Sequence, residues 1–382
     1  MKILWPEARP RAAILCATLA IGGAVFCGGS FAADAGTTAR VIAGLQVGAG
    51  DSALPEEGSW KAYSQEVATS WHENEKRIGS PLRQWACQEV DRTGGATVFY
   101  PFSGPDLPWA YRLYPDAGRF VLVALEKAEA PPSLETFSRA EAEGYRAAFR
   151  KAWRLYGVDG FFKTNDLNEE AGVHGTRLGI TGPLMAFAVR LGFEIEGVEP
   201  IQLELNSGEL VLRDPISLAE DTWDSVRLTL RKGGRRVVVD YVRMDLSDES
   251  LGRTPGARRW IERMASNPTL LKAASHHPQG AGFSVFRASV LANAPVIVQD
   301  ETGFDYGSLS QAYEVRLYGK FTRPNSAFDQ SLQRTLAAAY QKNAGVKPLP
   351  FRLGYEKGAG SALQVAVRGP SGSVPAPRSC GR

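Results

Sequence analysis

Three short stretches carry the residues whose types and spacing could do chemistry. Ser103 and Asp106 flank Gly104-Pro105 in a tight polar loop after the apolar run Thr97 to Tyr100. Glycine permits close backbone approach and proline fixes the turn, so this loop could clamp a ligand or present a nucleophile. Gln299, Asp300, Glu301 and Thr302 follow a second apolar run, Val296 to Val298. Neighbouring carboxylates can do acid–base or glycosidic work when a fold sets two of them roughly 5–10 Å apart. Lys163, Asn165 and Asp166 come directly after Phe161-Phe162, and a cation beside a carboxylate suits an anionic ligand or an ion pair. Each stretch also has a plain structural reading. Asp106 could cap a helix starting at Leu107, Asp300 to Thr302 could form a solvated turn, and Lys163 could pair locally.

Several chemistries are disfavoured by pattern. Ser103 lacks the preceding glycine of a nucleophile elbow, since Pro101 stands there, and no histidine is placed to suggest a triad. The chain has 4 histidines, with no HExxH and no CxxC, so a zinc site is not expected. No Ser-x-x-Lys, GxGxxG or phosphate-loop pattern occurs, and the Asp300 region lacks calcium-loop spacing. No cofactor is expected. Trp109, Tyr111 and Tyr114 could line a sugar-binding face, but their spacing fits a core. Asp245 and Asp248 flank Ser247 as helix-capping residues.

Elements must position these loops. Thr97 to Tyr100 and Arg119 to Glu126 read as strands around the Ser103 loop, and Val296 to Gln299 and Ala312 to Phe321 around the Asp300 loop. Helical periodicity appears in Ser59 to Ile78, Leu82 to Val90, Leu134 to Tyr156, Thr181 to Leu191, Pro255 to Met264, Thr269 to Ser275, Phe283 to Ala292 and Asn325 to Lys342. Hairpins are expected at Phe193 to Arg213, Ser225 to Met244 and Leu349 to Arg368. The two halves share an order of helices, strand, polar loop, strand, helix and hairpin. The expected class is α+β, a mixed or antiparallel sheet with flanking helices, with two similar lobes from an internal duplication left open. The lobes would span 59–215 and 216–368.

The N-terminus reads as a secretory signal. Lys2, Arg9 and Arg11 precede the apolar Ala12 to Phe26, and Ser30-Phe31-Ala32 offers a cleavage site. A lipoprotein anchored at Cys27 is disfavoured because Phe26 precedes that cysteine. Residues 33–58 read as a flexible leader and 369–382 as a disordered tail. The 382 residues carry 44 basic and 41 acidic side chains; removing residues 1–32 leaves 41 against 40. That balance gives no support for nucleic-acid binding. No later stretch approaches the ~20 apolar residues of a membrane span. Roughly 350 mature residues call for two cores or two lobes. Cys87 reads as a small buried hydrophobe, with pairing to Cys380 in the tail left open.

FYPFSGPD, YVRMDLSD, LKAAS, FSVFRASVL with VIVQDETGF, LYGKF and LPFRLGY together resemble a family of uncharacterised secreted bacterial proteins. Its marks are a PFSGPD loop, a long helical middle, a QDDSG-like loop and a C-terminal GYRW-like hairpin. This chain has Gln299-Asp300-Glu301-Thr302-Gly303 at the second loop, keeping charge and hydroxyl, and His276-His277 where a Tyr-Leu-Met-His-like run is common. The resemblance implies an extracytoplasmic protein and brings no activity with it. The leading expectation is a non-catalytic ligand-binding or envelope-associated protein with a polar cleft between two lobes, taking a small molecule or envelope component. A hydrolase using Asp106, Asp300 or Glu301 is the first alternative, and a partner-binding module of an envelope complex the second.

Overall fold

The structure is a computed structural model describing residues 29–46, 57–90, 97–132, 139–159, 179–213, 223–323, 333–342, 344–353 and 361–369. In chain order the elements are helix α1 (Gly29–Ile42), α2 (Glu57–Asn74), α3 (Ser80–Glu89), strand β1 (Thr97–Pro101), α4 (Leu107–Leu113), β2 (Arg119–Ala124), α5 (Arg139–Asp159), α6 (Thr181–Arg190), β3 (Glu194–Leu203), β4 (Leu210–Leu212), β5 (Ser225–Lys232), β6 (Arg235–Arg243), α7 (Asp248–Arg253), α8 (Pro255–Met264), β7 (Thr269–Leu271), α9 (Ser284–Asn293), β8 (Val296–Gln299), α10 (Tyr306–Ala312), β9 (Glu314–Gly319), α11 (Arg334–Lys342) and β10 (Ala362–Val367). The strands form one ten-stranded sheet in the order β4-β3-β5-β6-β2-β1-β7-β8-β10-β9. Five neighbours, β6-β2-β1-β7-β8, run parallel. Antiparallel strands extend the sheet on both sides. This is the expected α+β fold with a mixed sheet and flanking helices.

Side-chain alternation along the strands builds two cores, one per sheet face. Val98, Tyr100, Phe120, Leu122 and Val298 join Tyr63, Trp85, Trp153 and Phe187 of the helices on one face. Phe99, Val121, Val123, Leu271 and Ile297 join Leu251, Trp260, Phe286 and Leu309 on the other. Burial on both faces accounts for continuous apolar runs such as Val98-Phe99-Tyr100. The two cores expected from chain length are thus the two sides of a single sheet. Strands of the two halves interleave: β5 and β6 lie between β3 and β2. The boundary at 215/216 therefore does not separate two sheets. The strand–loop–strand units matched in sequence are seated differently, with β1 beside β2 but β8 and β9 parted by β10.

Direction of travel matters most for the site. From β1 the chain crosses through α4 to β2 on one side, and from β7 through α9 to β8 on the other. Crossovers of one hand that step in opposite directions must cover opposite faces, and α4 and α9 do pack into different cores. The carboxyl ends of β1 and β7 therefore diverge at a topological switch point, where open α/β sheets leave a crevice.

Four expectations need correction. Residues 33–58 are expected as a leader, yet α1 packs Ala35, Ala39 and Ile42 into the core. Its apolar face is mostly alanine, too small to show in a hydropathy pattern. Thr269 to Ser275 is not helical; three buried residues form β7, too short to display a period. Residues 349–353 do not form a strand, because both edges of β10, their expected partner, are taken by β8 and β9. Cys87 is disulfide-bonded, with its partner outside the described residues. The hairpin β5–β6 forms as expected over Gly233-Gly234, whose φ values of +54° and +79° suit the tight turn. The sheet ends on short or covered strands. β4 has three residues, and the outer side of β9 exchanges backbone bonds with Lys347.

Candidate functional site

The loops leaving β1, β7 and β8 meet at the carboxyl edge of the parallel strands. After β1, Ser103 donates its amide to Val123 O at 3.0 Å, tying the loop to β2. Asp106 occupies the first position before α4, but its side chain makes no capping bond. It instead accepts Lys272 Nζ at 2.9 Å and the Tyr100 hydroxyl at 3.2 Å, both on Oδ2. The capping reading of Asp106 is therefore wrong. Lys272, only 3% exposed, directly follows β7 and lies 5.0 Å from the centre of the Trp109 ring.

The next residue reaches the other loop. Ala273 N donates to Asp300 Oδ2 at 2.9 Å and Ala274 N to Thr302 Oγ1 at 2.7 Å. Thr302 in turn donates its amide and hydroxyl to Asp300 Oδ1 at 2.8 and 2.6 Å. Gln299 pairs both ends of its amide with the Phe304 backbone at 2.9 Å, and also donates to Gln364. Gln299, Asp300, Glu301 and Thr302 are all buried, so the solvated-turn reading fails. The side chains of Asp300 and Thr302 shape the loop after β7, and that of Gln299 shapes its own loop after β8. The consecutive residues Lys272 and Ala273 hold Asp106 and Asp300, so the two sequence-predicted loops are joined at one place. They meet at the edge of one sheet, not in a cleft between lobes.

The electrostatics follow from this burial. Burial, reinforced by the Asp300 charge, pushes the Glu301 carboxyl up to about 8, so at neutral pH it holds a proton. Burial raises the Tyr100 hydroxyl well above its ordinary range, and the charges of Asp106 and then Asp300 push it further. Burial lowers His276, outweighing the opposing effect of Asp300; its Nδ1 lies 3.1 Å from Gln279 Nε2. Gln279 also donates to Gly303 O at 2.7 Å, and Gln333 to Glu301 O at 2.8 Å.

Backbone conformation marks the same place. Among the described residues, six non-glycine residues have positive φ, and five belong to this region: Phe102, Ala273, Ser275, His276 and Gln333. Such backbone costs of order 1–3 kcal/mol per residue and persists where the surroundings enforce it, commonly at functional sites. Beneath the edge, Arg112 of α4 is 1% exposed. It donates to Glu75 and Tyr156 and lies 5.2 Å from the Trp71 ring centre. Burial would raise Glu75, but Arg112 and Arg83 outweigh it and hold the carboxylate below its usual range.

No protein-family model matches the chain, and no curated protein is similar enough to count as a relative. The site therefore stands on its own geometry. Lys163 and Asp166 lie outside the described residues, as do Asn165 and Cys380. Trp109 and Tyr114 are core residues. Asp248 caps α9 through Ser284 N and Val285 N at 2.9 and 2.8 Å, and Ser247 caps α7. Lys272, Tyr100, His276 and Arg112 were missed. Lys272 had a readable signal: a lone charge ending the apolar run Thr269-Leu270-Leu271.

Proposed function

We propose that this chain is an extracytoplasmic, non-catalytic ligand-binding protein whose site is the carboxyl edge of β1 and β7. The observation that carries the reading is the buried Lys272–Asp106 pair at the switch point, ringed by left-handed non-glycine residues. A buried ion pair is costly and adds little net stability, and strained backbone costs more. Both are understandable where the fold must hold polar groups ready for a small molecule. The disulfide at Cys87 agrees with an oxidising compartment, as does the signal-like N-terminus. The mature protein recovered from a periplasmic fraction should begin after Ala32, and mass spectrometry checks that.

The ligand reading is tested by a thermal-shift screen of small polar molecules on wild type and on Ser103→Trp, which adds bulk to the half-buried loop after β1. A compound that raises the Tm of wild type and not of the variant supports the site. Compounds that stabilise both equally would place binding elsewhere and sink it. One observation favours the hydrolase alternative: Glu301 retains a proton near neutrality, as a general acid must. Against it, Asp106 and Asp300 spend carboxylate oxygens on internal donors. Hydrolytic activity lost in Glu301→Gln with folding intact would bring that reading forward.

A further inference from the structure

We propose that the site takes a neutral sugar residue, seated on an aromatic rim formed by Phe102, His277 and Phe283. This rests on the ligand-binding reading above and names its ligand class. The three rings converge from two loops: Phe102 to His277 is 5.9 Å between ring centres, His277 to Phe283 5.4 Å, and Phe102 to Phe283 5.9 Å. Phe286 supports Phe102 from below, edge-on at 5.5 Å. His277 is exposed, and Phe102 and Phe283 are half-buried, packed against the second core.

The rim is held in place. Phe102 is a bulky residue kept at φ +59°, a conformation such residues avoid. Arg287 ties the loop carrying His277 by donating to Pro278 O and Gly280 O at 2.8 and 2.9 Å.

Charge narrows the ligand. Residues 102–105 and 273–283 contain no Asp, Glu, Lys or Arg. The Lys272–Asp106 pair below them is internally balanced, while Arg287 and Asp300, which touch these loops, are engaged by Pro278 O and Gly280 O and by Ala273 N and Thr302. Nothing in these two loops favours an ionised ligand. Ser103, Ser275 and Gln279 are half-buried. The Ser103 hydroxyl donates to Gly104 O at 3.1 Å and the Gln279 amide nitrogen to Gly303 O, which leaves the Ser103 oxygen and Gln279 Oε1 as neutral acceptors beside the Ser275 hydroxyl. Aromatic faces beside neutral hydrogen-bonding groups match a pyranose ring, which is apolar on its C–H face and hydroxylated at its edge.

The experiment is a thermal-shift screen of the full chain against neutral mono- and trisaccharides, run beside amino acids, dicarboxylates and nucleosides. Hits are titrated calorimetrically on wild type, His277→Ala, Phe283→Leu and Ser103→Trp. A neutral saccharide is expected to bind, with affinity falling roughly three- to tenfold in His277→Ala and Phe283→Leu and lost in Ser103→Trp. His277→Ala, altering an exposed side chain, should melt at the wild-type temperature without ligand. Hits confined to the non-carbohydrate compounds and lost in Ser103→Trp would overturn the sugar class and leave the site standing. Saccharide binding unchanged in all three variants, or no hit from either panel, overturns both.

Discussion

Glu301 is a carboxyl kept neutral by its surroundings, and that has a measurable cost. Its proton stays bound in the folded protein up to about 8, whereas in the unfolded chain it leaves near 4.5. Below the lower value both states are protonated and Glu301 is silent. Between the two, the unfolded chain ionises and the folded one does not, so stability falls as pH rises through that window. Glu301→Gln removes the ionisation while keeping shape. Urea unfolding should find the variant and wild type similar at pH 4.5 and the variant more stable at pH 9, by a few kcal/mol on the order that such a shift represents. Equal stability at pH 9 would show that Glu301 ionises without penalty. The Lys272–Asp106 pair makes a second residue-scale prediction. Lys272→Met or Asp106→Leu alone leaves a buried charge uncompensated and should cost ~3–5 kcal/mol. The double variant should recover much of that loss, and a double-mutant cycle measures the coupling.

At the scale of elements, one hydroxyl sits at the centre of the bonds that join the loops after β7 and β8. Thr302 Oγ1 accepts from Ala274 N and donates to Asp300. Thr302→Val keeps the volume, strands Ala274 N and takes one donor from Asp300 Oδ1, which keeps the Thr302 amide, at about 1–3 kcal/mol. Amide hydrogen exchange at Ala274 and His276 should speed up while β2 and β6 amides stay protected; uniform loss of protection would contradict a local role. These loops also show what the sequence could reveal. The strands bounding them, the hairpin turns and most helices were legible, because their apolar patterns extend over many residues. β7 was not. Its three residues carry no period, and its pairing with β1 and β8 depends on residues far away in the chain. Misreading β7 hid Lys272, and without Lys272 the turn at Asp106 looked like a helix cap. The Asp300 loop was found by its residue types, but its burial was not foreseeable, since polar residues ordinarily stay at the surface unless partnered.

For the whole molecule, the interleaving of halves has consequences for how it unfolds. β5 and β6 need β3 on one side and β2 on the other, and β7 sits between β1 and β8. A chain divided at 215/216 should therefore yield two fragments that do not fold separately. The intact chain should unfold in a single transition by urea, with tryptophan fluorescence and far-ultraviolet circular dichroism coinciding. Two resolved transitions would show that the sheet contains separable units. Reduction of the disulfide at Cys87 should lower the Tm, with a loss typically ~2–4 kcal/mol, checked by melting with and without dithiothreitol.

A sheet this wide exposes two margins to its neighbours, and both are blunted. One margin is the three-residue β4; at the other, the backbone of β9 is met by Lys347. Open margins of paired strands are where chains add to one another and polymerise. Addition of a strand is opposed where β4 covers Ile201 to Leu203 of β3 and where Lys347 occupies the backbone of Leu317 and Gly319, so assembly of concentrated protein at these positions should be built from side-chain surfaces rather than by extension of the sheet.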